Sequence, residues 1–537
     1  MRPDGAVSLV NKALWVAEMG MAESGFCRVC GMRGEMGLFR RCAALAVFLS
    51  FCMPAMRLLP GVGGNLYAEV RTYPVVSDEP ESGIWQVKVN GQSVQVLTAR
   101  TADAPFENYD YGGTYSFVSI DADEQVEFEI EKKRGKDTLA NLVLRPASLG
   151  LVPEDKQERS FKVKVDHPCR FSVEFDGRRN PLLVFVNPPE KDVPAEGDPN
   201  VIWYGPGIHR PEGGIVSLGD GQTLYLAPGA VVHAGIKATG KNITIRGRGI
   251  LDSSSWPWRR GTTPGVVALF GCENLFLDGI IIRGASRWTV FMKNCDNVRI
   301  ENLKLCGARV QNDDGVNPCN SRNVSIRNSF FRTDDDCIAI KGLDPADGNC
   351  EDITIEGCVF WCDRARISLL GHESRAPYMR RITFRNCDII HSCARYFLLE
   401  PGEEMRLEDV LFEDIRFEIG NPNAESAMDA GYRPDVANIR FDYDVAGMKE
   451  NWLFAARPAI NVYMKTQAPG HIKNLTIRGI KVTGTPEYCG MLFSGYDGEH
   501  RFDGLQIEDV QIFGTPVQED SPSLSIGDFT DRVSVKP

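Results

Sequence analysis

The chain has 537 residues, 43% of them hydrophobic and 25% charged, with a formal net charge of −12. That length suits two or three domains of ordinary globular composition and excludes a fibrous or disordered chain. The acidic balance makes it a poor partner for nucleic acid, whose phosphates call for clustered lysine and arginine.

In chain order, residues 1–68 read differently from the rest. Arg40-Arg41 precede an apolar run from Cys42 to Met56, and the stretch ends in Leu66-Tyr67-Ala68. Basic, then apolar, then a cleavage-site pattern is the order of a secretory signal peptide. The run is short for a membrane anchor, and Pro54 and Arg57 interrupt it. Translation is expected to start at Met32 or Met36, giving a leader of normal length. The expected location is extracytoplasmic, secreted or periplasmic, with no membrane association once the signal is cleaved. Residues 1–68 carry seven basic and four acidic side chains, so the remainder holds a net charge of −15.

Residues 69–190 carry strand signals. Trp85-Gln-Val-Lys-Val-Asn-Gly-Gln-Ser-Val alternates around an Asn90-Gly91 hairpin turn, and Glu127-Phe-Glu-Ile-Glu, Phe161-Lys-Val-Lys-Val and Phe171-Ser-Val-Glu-Phe alternate likewise. This predicts a β-sandwich, followed by a polar, proline-containing linker over 191–200.

Residues 201–537 are periodic. The unit Asn-Val-x-Ile-x-Asn recurs from Lys241, Glu273, Asp296, Arg322, Glu351, Arg380, Glu408, Lys473 and Asp503, mostly 23 to 32 residues apart. The gap after Glu408 leaves room for one more degenerate coil near Ile439. One such unit cannot bury its apolar face, and stacking many of them does. The chain is therefore expected to be all-β, with a parallel β-helix preceded by the sandwich. Cys272, Cys295, Cys319, Cys350 and Cys387 recur at one place in the unit and are expected as a buried stack at a turn.

The chemistry concentrates in two adjoining units. One gives Asn312-Asp313-Asp314-Gly315, the next Asp334-Asp335-Asp336-Cys-Ile-Ala-Ile-Lys341. Asp314 and Asp335 are 21 residues apart and are expected at similar places on adjacent rungs. For Asp335 and Asp336 to reach one cleft the backbone must turn or bulge, because successive strand residues face opposite ways. Paired carboxylates on a rigid wall are what glycosidic cleavage requires. Aspartates are also common turn residues, and calcium gathers carboxylates. Lys341 reads either as an anchor for substrate or as a structural ion-pair partner. Arg364, Arg366, Arg375, Arg380, Arg381, Arg385 and Arg395 line either the cleft or a solvated face, and Trp256, Trp258, Trp288 and Trp361 either stack on sugars or pack inside.

These segments resemble glycoside hydrolase family 28, the polygalacturonases. Its Asn-Thr-Asp-Gly motif is matched by Asn312-Asp313-Asp314-Gly315, and its Gly-Asp-Asp-Cys-Ile-Ala-Ile-Lys motif by residues 334–341. The resemblance implies a right-handed, pectin-lyase-like parallel β-helix and inverting hydrolysis, with Asp335 the general acid and Asp314 and Asp336 activating water. The family's histidine position is Ala365 here, so His372 is a shifted candidate, and Asn312, Lys341, Arg364 and Arg366 join it as candidate substrate-binding residues. The uronate-gripping Arg-Ile-Lys motif is not evident, its place falling near Arg395-Tyr396-Phe397. Trp203-Tyr-Gly-Pro-Gly-Ile-His209 and Leu224-Tyr-Leu-Ala-Pro-Gly-Ala-Val-Val232 are similar to family 49, the dextranases and isopullulanases, which also carry an N-terminal β-sandwich. Both resemblances imply a polysaccharide or oligosaccharide partner, no cofactor and no metal, and the chain is expected to be a monomer. The rival readings are a polysaccharide lyase on the same fold and a noncatalytic carbohydrate-binding or adhesin β-helix.

Overall fold

The computed structural model describes residues 70–537 apart from 108, 110, 136–138, 176, 393–394, 421–450, 461–463 and 485–488. The expected leader, with its start codon, and the extra coil near Ile439 lie outside the described residues. Among the described residues no helix is long and apolar enough to cross a membrane.

The first layer is a four-stranded antiparallel sheet. Trp85–Val89 turns through Asn90-Gly91 into Gln92–Val94, with Val89 opposite Gln92. Both turn residues have positive φ, 48° and 79°, the conformation a two-residue hairpin demands. Trp85–Val89 also pairs with Val126–Lys132, which pairs with Ser160–Val165. Val87, Val89, Phe128, Ile130, Phe161 and Val163 alternate inward along these strands.

The second layer has five strands in the order Leu97–Arg100, Thr114–Asp121, Leu182–Asn187, Cys169–Glu174, Val143–Arg145. It is covered on both sides. Leu182, Val184 and Val186 meet the first sheet, whereas Leu183 and Phe185 meet the solenoid behind. That two-sided burial is why Leu182–Asn187 is an unbroken apolar run rather than an alternating one.

From Val201 onward, 29 strands among the described residues form one continuous sheet wound into a parallel β-helix. On its first face Ile243, Leu275, Val298, Val324, Ile353, Ile382, Val410, Leu475, Leu505 and Val533 stack in one column. All nine sequence repeats lie on this face, which Val201–Tyr204, Thr223–Leu226 and Thr530–Lys536 extend. The recurrent asparagine has a backbone reason: Asn242, Asn274, Asn297, Asn323 and Asn474 all sit in the left-handed region, which asparagine tolerates better than most residues.

Two expectations are corrected. Glu408 pairs directly with Lys473, so no rung is inserted between them on this face. The cysteines also form more than one column. Cys272 and Cys295 precede the paired Glu273 and Asp296, and Cys350 stacks on Met379, but Ser321 fills the intervening rung. Cys319 stacks on Lys293, and Cys387 on Ile415. The eleven described cysteines are buried free thiols.

The second face, which includes Ile250–Asp252, Ile281–Arg283, Lys304–Cys306, Phe330–Thr333 and Val359–Cys362, is apolar outside as well as inside. Its outer residues Ile250, Ile281, Phe330 and Trp361 pack against Tyr115, Phe117, Leu183 and Phe185 of the five-stranded sheet. Buried ion pairs stitch the seam: Arg248 to Asp121 at 2.9 Å, Arg283 to Glu79 at 2.7 Å and Arg145 to Glu418 at 2.7 Å. Trp361 is thus wholly buried, which removes it from the candidate sugar platforms.

Candidate active site

Three successive coils turn the same corner between the second face and a third, which includes Val290–Lys293, Val316–Cys319, Ile338–Ile340 and Ser368–Leu370. The corners are Asn312–Gly315, Asp334–Asp336 and Arg364–Arg366, each lying between two strands. This is the turn that frees Asp335 and Asp336 from strand alternation. Val316 pairs with Ile338, and the Gly315 N–H donates to the Asp336 carbonyl at 2.8 Å. The register therefore sets Asp314 beside Asp336, one residue on from the Asp335 that a 21-residue step implies. Gly315 has to be glycine, because a Cβ there would collide with the Cys337 carbonyl of the next coil.

Each aspartate has a distinct setting. Asp313 is wholly buried and accepts the backbone N–H groups of Ala308 (2.6 Å), Asp334 (2.6 Å) and Asp335 (3.2 Å), so it shapes the corner. Asp334 accepts from the Tyr111 hydroxyl at 2.6 Å and from Arg364 Nε and Nη2 at 2.9 and 2.8 Å. Arg364 Nη2 also reaches Asp335 Oδ2 at 2.7 Å. Arg366 grips Asp336 with two bonds of 2.6 and 3.1 Å. Asp314 accepts from Asn317 Nδ2 at 2.8 Å and lies 3.5 Å from Lys341 Nζ. Lys341 is closer to Glu373, at 2.8 Å, and lies 4.2 Å from the centre of the Trp288 ring.

Exposure and charge separate the three expected catalytic groups. The Asp314 and Asp336 side chains are each 3% exposed, while that of Asp335 is 13% exposed and faces out of the corner most. Burial pushes Asp314 up to about 8, with the Asp335 and Asp336 charges adding to it against Lys341. Burial also raises Asp336, against the pull of Arg366. Burial acts upward on Asp335 too, but Arg364, Arg366 and Lys341 outweigh it and hold its carboxyl below the usual range. The corner thus keeps an anion at Asp335 and a proton on Asp314 near neutral pH. Carboxyls pushed apart in this way are a pattern that acid–base sites share with buried ion-pair networks.

The other expected residues divide. Arg364, Arg366 and Lys341 join the aspartates, and Lys341 does so through ion pairs. The Asn312 side-chain Oδ1 accepts from Arg259 Nε and Nη2 at 3.0 and 2.8 Å. His372 is buried with its Nδ1 3.3 Å from Glu400 of the next coil. Arg380, Arg381 and Arg385 pair with Glu351, Asp352 and Glu356 on the first face and are surface ladder residues. Tyr111, Glu373 and Arg259 escaped sequence reasoning. Glu373 adjoins His372, which was singled out, whereas Tyr111 comes from the N-terminal layer and leaves no sequence signal. Among the described residues a group of possible metal ligands occurs elsewhere, at Glu404, His471 and His500.

Residues 231–392, which contain all three corners, match the sequence profile of Glycosyl hydrolases family 28. The chain is 30% identical over 128 residues to the putative galacturan 1,4-alpha-galacturonidase C of Aspergillus niger, covering 20% of this chain and 30% of that one. It is 28% identical over 191 residues to polygalacturonase QRT2 of Arabidopsis thaliana, covering 32% and 42%. The matches thus span less than half the length of either relative. Dex49A from Penicillium minioluteum is a similar solved structure, 12% identical with a TM-score of 0.48, covering 80% of this chain and 95% of that one.

Proposed function

We propose that this chain is a glycoside hydrolase that cleaves O-glycosidic bonds in a polysaccharide by single displacement with inversion. The observation that carries the reading is the corner itself, where Asp335, the most exposed of its aspartates, is held as an anion by Arg364 while burial pushes the neighbouring coil's Asp314 up to about 8. Inversion needs one acid at the leaving oxygen and one base holding water on the other face of the ring.

In the free protein Asp335 is anionic because Arg364 binds it. Sugar hydroxyls that engage Arg364 weaken that hold, and the Asp335 carboxyl rises. The proton kept by Asp314 then passes to Asp335, which delivers it to the leaving oxygen. Asp314, now an anion, acts with Asp336 to take the proton from the attacking water. One proton moves in and one out, so the cycle closes without a further reactant. Lys341 keeps Asp314 in place and steadies the anion that forms there.

The chain is tested on a polysaccharide panel that includes polygalacturonate and dextran, with reducing ends and product anomers followed. New reducing ends of inverted configuration support the reading. An unsaturated, ultraviolet-absorbing product means a lyase. The near-complete burial of Asp314 and Asp336 favours a second reading, a noncatalytic carbohydrate-binding β-helix, in which polysaccharide binds and no reducing ends appear.

A further inference from the structure

A second constellation lies away from the corner, where three later coils enter the first face. Glu404 precedes Arg406–Ile419, His471 opens His471–Gly484, and His500 precedes Phe502–Ile512. His471 Nε2 lies 3.4 Å from Glu404 Oε2, and His500 Nε2 lies 3.5 Å from Glu404 Oε1. The three ligand atoms fall within 4.8 Å of one another. These separations are long for good hydrogen bonds. The two histidine–carboxylate separations, which run to the two different oxygens of Glu404, are close to the ligand–ligand spacing around a tetrahedral ion at zinc–nitrogen distances, about 3.3 Å.

The histidine behind the cluster is already oriented. His500 Nδ1 bonds Asp497 Oδ1 at 2.9 Å, and that oxygen also accepts the backbone N–H groups of Glu499 and His500 at 2.9 and 2.8 Å. A carboxylate fixing the far nitrogen of a histidine is the outer-shell arrangement that metal ligands use. Glu403 and Glu404 both hold positive φ, 55° and 62°, a cost to the backbone for residues that are not glycine. Glu404 is 62% exposed and the His500 side chain 12%, so an ion reaches the group from solvent.

We propose that Glu404, His471 and His500 form a binding site for one divalent transition metal of zinc type, with the remaining coordination position open to water. Two imidazoles and one carboxylate select such an ion over calcium or magnesium, which prefer all-oxygen cages. The ligands come from three coils, and 67 residues separate Glu404 from His471. They converge only in the folded chain, so bound metal stabilises the late coils by mass action.

The test uses tag-free, full-length protein stripped with a chelator and dialysed, then titrated with zinc acetate by calorimetry, with calcium chloride as the comparison. The expected result is one zinc ion per chain in the micromolar range or tighter, no calcium binding at the same concentrations, and a higher melting temperature with zinc. His471→Ala and His500→Ala each abolish both effects while their metal-free circular dichroism stays that of the parent. Asp497→Asn, which removes only the orienting charge, weakens binding by roughly tenfold to a hundredfold. Cobalt in place of zinc gives the visible bands of a low-coordinate N/O site. Absence of stoichiometric zinc binding, or binding that survives His471→Ala unchanged, overturns the proposal.

Discussion

The Tyr111 hydroxyl donates to Asp334 Oδ1 at 2.6 Å across 223 residues of chain, tying the N-terminal layer to the candidate catalytic corner. The Tyr111 carbonyl also accepts from Arg332 at 2.9 Å, so the loop is fastened at two points. Asp334 in turn holds Arg364, which holds Asp335. The sandwich therefore braces the solenoid at this corner and reaches Asp335 through Asp334 and Arg364.

Tyr111→Phe keeps the ring and removes that one donor. A buried carboxylate left short of a partner costs about 1–3 kcal/mol, read as a lower midpoint in urea. Asp334 loses a bond that lowers its pKa, and the Arg364 fork loosens. Hydrolysis is expected to fall on the order of tenfold in kcat, equivalent to ~1.4 kcal/mol, with KM little changed. Unaltered kcat would show that Tyr111 only packs.

Asp335→Asn retains size and hydrogen bonding but cannot carry a proton to a leaving group. Sugar release should drop by roughly 10²–10⁴, while the strand circular dichroism and melting temperature remain close to those of the parent. An Asp335→Asn enzyme with full activity contradicts the assignment at its base.

Arg364→Lys keeps the charge but not the fork that spans Asp334 and Asp335. With less positive charge at its oxygens the Asp335 carboxyl rises, so the acidic limb of the kcat/KM profile moves to higher pH. A pH profile superimposable on the parent's would separate Arg364 from the proton inventory.

Asp314 carries a pH-dependent cost. Its folded-state pKa of about 8 lies above the ordinary carboxyl value. Below that ordinary value both states are protonated and nothing is lost. Between there and about 8 the unfolded chain ionises first, so stability falls as pH rises. Asp314→Asn removes the penalty. The variant should match the parent near pH ~4 and exceed it by a margin that grows toward about 5 kcal/mol near pH ~8, measured by denaturant midpoints. A difference that does not grow with pH would mean that Asp314 is ionised in the folded chain.

The sequence alone carried the architecture, because a solenoid is a local code. The Asn-Val-x-Ile unit names both the left-handed turn residue, as at Asn297 and Asn323, and the inward apolar pair. Each coil meets only its neighbours, so period and pattern suffice. The aspartates were legible for the same reason. Tertiary structure decided what periodicity cannot encode. The register at the corner put Asp314 beside Asp336, because a one-residue difference in coil length is invisible in a loose repeat. The fold also turned His372 toward Glu400 and brought Tyr111 and Glu373 to the cluster. Which carboxyl holds the proton depends on burial and on charges gathered from distant segments, and these exist only once the coils have stacked.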